Sequence, residues 1–157
     1  MKKSKWKTYA AWVLLTEAVG ALAGWLTRDG VKLYNLNAIK PPLSPPPAVF
    51  PVAWVILYAL MGIGAARVYL SDFSQERRTA LTVYGVQLAF NFMWSIIFFD
   101  LRAYLFALVW IIVLWALIVR MTVLFWKCDK PAGWMQIPYV LWVLFAAYLN
   151  YGVWRLN

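Results

Sequence analysis

A chain of 157 residues that is 64% hydrophobic and only 13% charged carries more apolar surface than a soluble domain of that length can hide. Its 15 basic and 6 acidic residues give a net charge of +9, but the basic ones gather at the ends of apolar runs. That placement suits lipid headgroups and gives no reason to invoke a nucleic-acid partner.

Five apolar segments predict five membrane helices, each near the ~20 residues needed to cross the hydrocarbon core. They are apolar on nearly all faces without strict alternation, which favours helices over barrel strands. The expected fold is an all-α, five-transmembrane-helix bundle with a lid loop between helices one and two. Residues 1–157 are read as one domain of a multi-pass integral membrane protein, its solvent the lipid bilayer.

Helix one is read as Tyr9–Leu26. The four lysines from Lys2 to Lys7 give its start the look of a signal peptide. The apolar run is long for a signal core and shows no clear small-x-small cleavage site, so it is kept as the first span. Glu17 lies near its middle, where a carboxyl in lipid must be protonated or hydrogen-bonded to a partner helix. Thr27–Pro47 follows as a stiff, extended loop, because the run from Pro41 to Pro47 cannot be helical. Such a loop serves as a lid or as a plain connector.

Helix two is read as Ala48–Leu70, with Pro51 tolerated in its first turn. Helix three is Leu81–Phe99, after a loop at Ser71–Thr79. The turn Asp100–Arg102 leads to helix four, Ala103–Trp126. Cys128, the single cysteine, falls in the charged turn Lys127–Lys130 and is taken as a bystander. Helix five is Trp134–Val153, and Pro138 inside it is expected to bend it. Ten of the 15 basic residues fall on the side of the N-terminus, which predicts that side as the inner one.

No catalytic constellation is present. The chain has no histidine, and no HExxH, CxxC, phosphate loop or dinucleotide fingerprint. No metal site is expected. What remains is a set of polar residues inside apolar helices, where each is costly and turns toward the bundle interior. Gln87, Asn91 and Ser95 form one stripe of helix three, with Tyr84 and Trp94 beside it. Tyr139, Trp142, Ala146 and Asn150 share a face of helix five. Trp54, Tyr58 and Met61 share a face of helix two. These faces either line a pocket or simply glue helices together. Gly20-x-x-x-Gly24 and Gly85-x-x-x-Ala89 each permit close helix approach; the second is the expected seam of a homodimer.

Several stretches together resemble the translocator protein family, also described as peripheral-type benzodiazepine receptor-like or tryptophan-rich sensory proteins. They are Lys40-Pro41 with Pro45-Pro46, Phe50-Pro51-Val52-Ala53-Trp54 through Tyr58, Met61 and Gly62, and Gln87-Leu88 with Asn91, Trp94, Phe98 and Phe99. Pro138-Tyr139 with Trp142, Ala146 and Leu149-Asn150-Tyr151 completes the set. The resemblance spans nearly the whole chain. It departs at Leu43 and at Leu33-Tyr34, where the family often carries tryptophan.

The resemblance implies a receptor or sensor that binds tetrapyrroles such as protoporphyrin IX and benzodiazepine- or isoquinoline-type ligands, with no required cofactor. By position its pocket includes Trp54, Tyr58, Asn91, Trp142 and Ala146. Gln87, Trp94, Tyr139 and Asn150 join these from the polar stripes. Leu149, Tyr151 and Arg155 match the permissive cholesterol-recognition pattern, which adds sterol as a partner. The missing histidine favours free porphyrin over haem. Two alternatives stay open. One is a light- and oxygen-dependent porphyrin-degrading enzyme using Trp54 and Trp142; the other is a porphyrin or sterol transporter.

Overall fold

The computed structural model describes residues 2–157. The side chains of Lys2, Lys3 and Ser4 lie outside the described residues, and with them two lysines of the orientation count. The elements are α1 (Lys2–Leu26), α2 (Arg28–Asn37), α3 (Val49–Tyr69) and α4 (Gln75–Ser95), which runs on through a π-helical turn, Ile96–Asp100. Then follow α5 (Tyr104–Cys128), a short α6 (Lys130–Trp134) and α7 (Ile137–Leu156). No strand occurs among the described residues. Five stretches are long and apolar enough to span a bilayer: Lys5–Leu26, Val49–Tyr69, Gln75–Asp100, Tyr104–Cys128 and Lys130–Leu156. The protein is an all-helical, multi-pass integral membrane protein.

Helix α1 packs mainly on α3, α4 on α5, and α5 on α7. The α1–α3 approach depends on two glycines. A Cβ on Gly62 would meet the Val13 backbone, and one on Gly20 would meet the Tyr58 ring. Without lipid-excluding hydrophobic force between spans, such close backbone contact supplies the association energy. By contrast, α3 and α7 do not approach closely along their backbones. Large side chains bridge the distance between them.

The structure corrects three expectations. The front of the segment 27–47 is a helix, not extended chain. Arg28–Asn37 contains no proline, Asp29 sits in its first turn, and the Ala38 N–H closes its end onto Tyr34 O. The acidic residue complements the helix dipole, so nothing opposes helix formation until the prolines begin. The proline run beyond it is non-helical, and it is tied to α7. Pro41 packs on Gly152, Tyr148 donates to Pro42 O at 2.8 Å, and Asn157 pairs with both backbone groups of Ile39.

Pro138 does not bend the interior of a helix. Asp129 caps α6 by accepting from Ala132 N at 3.0 Å. That helix ends at Trp134, and α7 restarts at Ile137 with Pro138 in its first turn, where its missing N–H costs nothing. The helical break falls upstream, at Met135-Gln136. Gln136 Nε2 braces it by donating to Leu60 O at 3.0 Å and Ala132 O at 3.2 Å. Cys128 is the last residue of α5, not part of a turn. Asp129 beside it forms an ion pair with Arg67 at 2.6 Å.

Candidate functional site: an aromatic cluster over a buried polar seam

The inward stripe of α4 carries Tyr84, Gln87, Asn91 and Trp94, all buried. Their spacing of three to four residues stacks them along one helical face. Asn91 is the hub. Its Oδ1 accepts from the Tyr58 hydroxyl of α3 at 2.9 Å, and its Nδ2 donates to the Tyr139 hydroxyl of α7 at 2.7 Å. Tyr139 in turn donates to Gln87 Oε1 at 2.7 Å. Gln87 Nε2 donates to Tyr84 O at 3.1 Å, with Met61 Sδ at 3.5 Å. The Tyr84 hydroxyl pairs with that of Thr16 on α1. One polar seam thus joins four spans.

A second polar group lies apart from it. Trp94 Nε1 donates to Asn150 Oδ1 at 3.0 Å, and Asn150 Nδ2 donates to Tyr104 O at 2.9 Å. Asn91 and Asn150 therefore spend their amide groups on other helices, and Gln87 divides its own between Tyr139 of α7, Met61 of α3 and Tyr84 O of its own helix. That is the helix-bonding role left open by the sequence.

Above the seam the rings converge. Trp54 stacks on Tyr58 at 5.4 Å between centroids and meets Tyr139 and Trp142 edge-on, each at 6.3 Å. Phe50 closes on Trp142 at 5.8 Å. These rings are what fill the separation between α3 and α7. Ala146, buried and one turn beyond Trp142, adds no bulk there. The Trp142 indole Nε1 is buried and has no hydrogen-bond partner among the described residues. Buried N–H donors are rarely left so.

The remaining predicted residues fall elsewhere. Leu149 is buried, whereas Tyr151 and Arg155 are exposed, so the sterol pattern does not present one face. Glu17 is half-buried and makes no hydrogen bond or ion pair among the described residues. Of the two alternatives the sequence offers for it, the helix-to-helix hydrogen bond is not formed among the described residues. Gly85 and Ala89 face outward, with open space where a Gly85 side chain would stand. A cavity of about 160 Å³ does lie under α2, but its walls come from α2, Arg102, Tyr104 and Asn157, not from the ring cluster.

Thr16 and Gln136 were not singled out from the sequence. Both are polar residues in apolar surroundings, so the rule that selected Asn91 would have found them. Chemically, the cluster offers flat aromatic faces, one unused N–H donor and no ionised group of its own. It suits a flat, largely apolar molecule with an acceptor atom.

A model of the TspO/MBR family matches residues 12–155. The chain is 34% identical to the tryptophan-rich protein TspO of Chlorobaculum tepidum, covering 96% of each chain. It is 36% identical to a tryptophan-rich sensory protein of Cereibacter sphaeroides, over 95% of this chain and 92% of that one. It is 32% identical to the translocator protein of Bos taurus, over 97% and 91% respectively.

Proposed function

Because the chain belongs to the TspO/MBR family, we propose that it is a membrane receptor or sensor for a flat aromatic ligand, a tetrapyrrole such as protoporphyrin IX or a benzodiazepine- or isoquinoline-type compound. The ligand enters between α3 and α7 and stacks on Trp54 and Tyr58. The observation that carries this reading is the unpartnered Trp142 Nε1. A ligand acceptor would satisfy it at the point where rings, not backbones, hold the two helices together. Rings can change rotamer and part at lower cost than packed backbones.

The test is a titration of intrinsic tryptophan fluorescence with protoporphyrin IX on purified protein in one detergent. Trp142→Phe keeps an aromatic face but removes the N–H, and should weaken binding about tenfold, the value of one hydrogen bond freed from a desolvation cost. Unchanged affinity in both Trp142→Phe and Trp54→Phe would overturn the site.

The two indoles also meet at 6.3 Å, so a ligand excited by light would find two oxidisable groups side by side. If Trp54→Phe and Trp142→Phe bind more weakly but, at saturating porphyrin, lose light-dependent porphyrin breakdown altogether, the enzymatic reading replaces the receptor one. The outward face at Gly85 and Ala89 is proposed as the seam of a homodimer, since small residues with open space beside them permit close helix approach.

A further inference from the structure

The turn between α4 and α5 places a cation over a small cavity. After the π-helical turn, Arg102 adopts φ 53°, a left-handed conformation that is unfavourable for a residue with a side chain and that recurs at functional sites. With Tyr104 and with Leu33, Tyr34 and Asn37 of α2, it lines the cavity of about 160 Å³. The only ion pair among the described residues is elsewhere, between Arg67 and Asp129. Tyr34 and Tyr104 take part in hydrogen bonds through their backbone carbonyls. Their hydroxyls, the Asn37 amide and the Arg102 guanidinium bond nothing among the described residues. Four side chains that carry donors, none of them engaged by another described residue, surround one space.

Such a set recognises an oxoanion. Three further features narrow the choice. The cavity sits where the α4 span ends and the α5 span begins, and Leu33, Leu36 and Leu101 of the adjoining α2 and turn are exposed. Burial, with the neighbouring Tyr104 phenol adding to it, pushes Tyr34 up to about 12, so its hydroxyl remains a donor at any physiological pH. Asp100 is not itself in the lining but lies against Gly30, which is. A carboxylate there opposes a doubly charged free anion and tolerates a singly charged diester.

We propose that this cavity binds the phosphodiester headgroup of a membrane phospholipid, with Arg102 against the phosphate and Tyr34, Tyr104 and Asn37 donating to its oxygens. Glycerol and acyl chains then leave across the exposed leucines. The site is separate from the ring cluster and does not depend on the ligand proposed there. It ties the lid helix α2 to the membrane surface.

The test uses the full chain in maltoside micelles, titrated by calorimetry with dihexanoylphosphatidylglycerol. Inorganic phosphate and dihexanoylglycerol serve as competitors. The phospholipid should bind saturably, and neither competitor should displace it. Arg102→Gly should weaken binding about tenfold, the loss of a charge-assisted hydrogen bond. Its melting temperature should hold or rise, because glycine relaxes the left-handed backbone. Arg28→Gln removes another cation, the first residue of α2, which stacks on Trp25 and does not line the cavity, and should leave affinity within about twofold, as expected for a screened charge outside the site. Wild-type affinity in Arg102→Gly, or an equal loss in Arg28→Gln, would overturn the site. Displacement by inorganic phosphate alone would overturn the lipid assignment in favour of a free phosphate ion.

Discussion

The hydroxyl of Tyr139 on α7 donates to Gln87 Oε1 on α4 at 2.7 Å, and the Tyr139 ring is fully enclosed, 1% exposed. The Tyr139 hydroxyl oxygen also accepts from Asn91 Nδ2. One phenol therefore closes the polar seam between helices whose backbones do not pack closely.

Tyr139→Phe should lower stability by about 1–2 kcal/mol. It leaves Gln87 Oε1 and Asn91 Nδ2 without partners in a lipid-surrounded core, while removing almost no volume. Tyr148→Phe, which loses only an exposed bond to Pro42 O, should cost less than about half of that. Thermal unfolding in a single detergent distinguishes them, and equal costs would show that the seam contributes no more than a surface bond.

Gly62→Ala should be damaging although it adds one methyl group. Its Cβ would meet the Val13 backbone of α1, which cannot step aside as a side chain tip can, and overpacking of this kind costs about 1–3 kcal/mol. Gly24→Ala meets nothing within 4 Å and should gain up to about 1 kcal/mol in helix propensity. A neutral Gly62→Ala would mean that α1 and α3 can slide apart freely.

Trp142→Phe should leave the ligand-free protein as stable as wild type, or slightly more so, because the N–H it removes has no partner to lose. Weakened porphyrin binding together with an unshifted melting curve is the expected pair of results. A melting temperature lowered as far as that of Tyr139→Phe would show that the indole N–H is bonded within the fold and not free for a ligand.

Ala146→Thr should weaken porphyrin binding with little loss of fold. The β-branched side chain intrudes one turn beyond Trp142, in the space between α7 and the rings of α3. Ala103→Thr, at the start of α5, should bind as wild type does. Equal affinities for wild type and Ala146→Thr would remove Ala146 from the site.

Gly85→Leu should split the proposed homodimer without unfolding the protomer, since the position is exposed and nothing lies within 4 Å. Sedimentation of the detergent-solubilised protein reads the outcome. A dimer that persists would move the seam; Gly20, already closed by the Tyr58 ring, is not a free alternative.

The chain by itself determined the solvent and the number of spans. Length and apolarity leave no other medium for segments such as Val49–Tyr69 and Tyr104–Cys128, because every backbone polar group in lipid must be satisfied within a helix. It also determined which way Gln87, Asn91 and Tyr139 turn, since the cost of polar atoms in lipid acts on each helix separately. Tertiary structure alone decided how those groups pair. Whether Asn91 meets a ligand or Tyr58 and Tyr139 depends on inter-helix distances that no periodicity encodes. Helix α2 was missed because the prolines after Asn37 dominate the composition of its segment, although they act only on their own residues and the ones before them. The break before α7 was misplaced for a related reason. Pro138 is visible as a breaker, but only the Asp129 cap and the Gln136 brace onto Leu60 fix where the helix is interrupted.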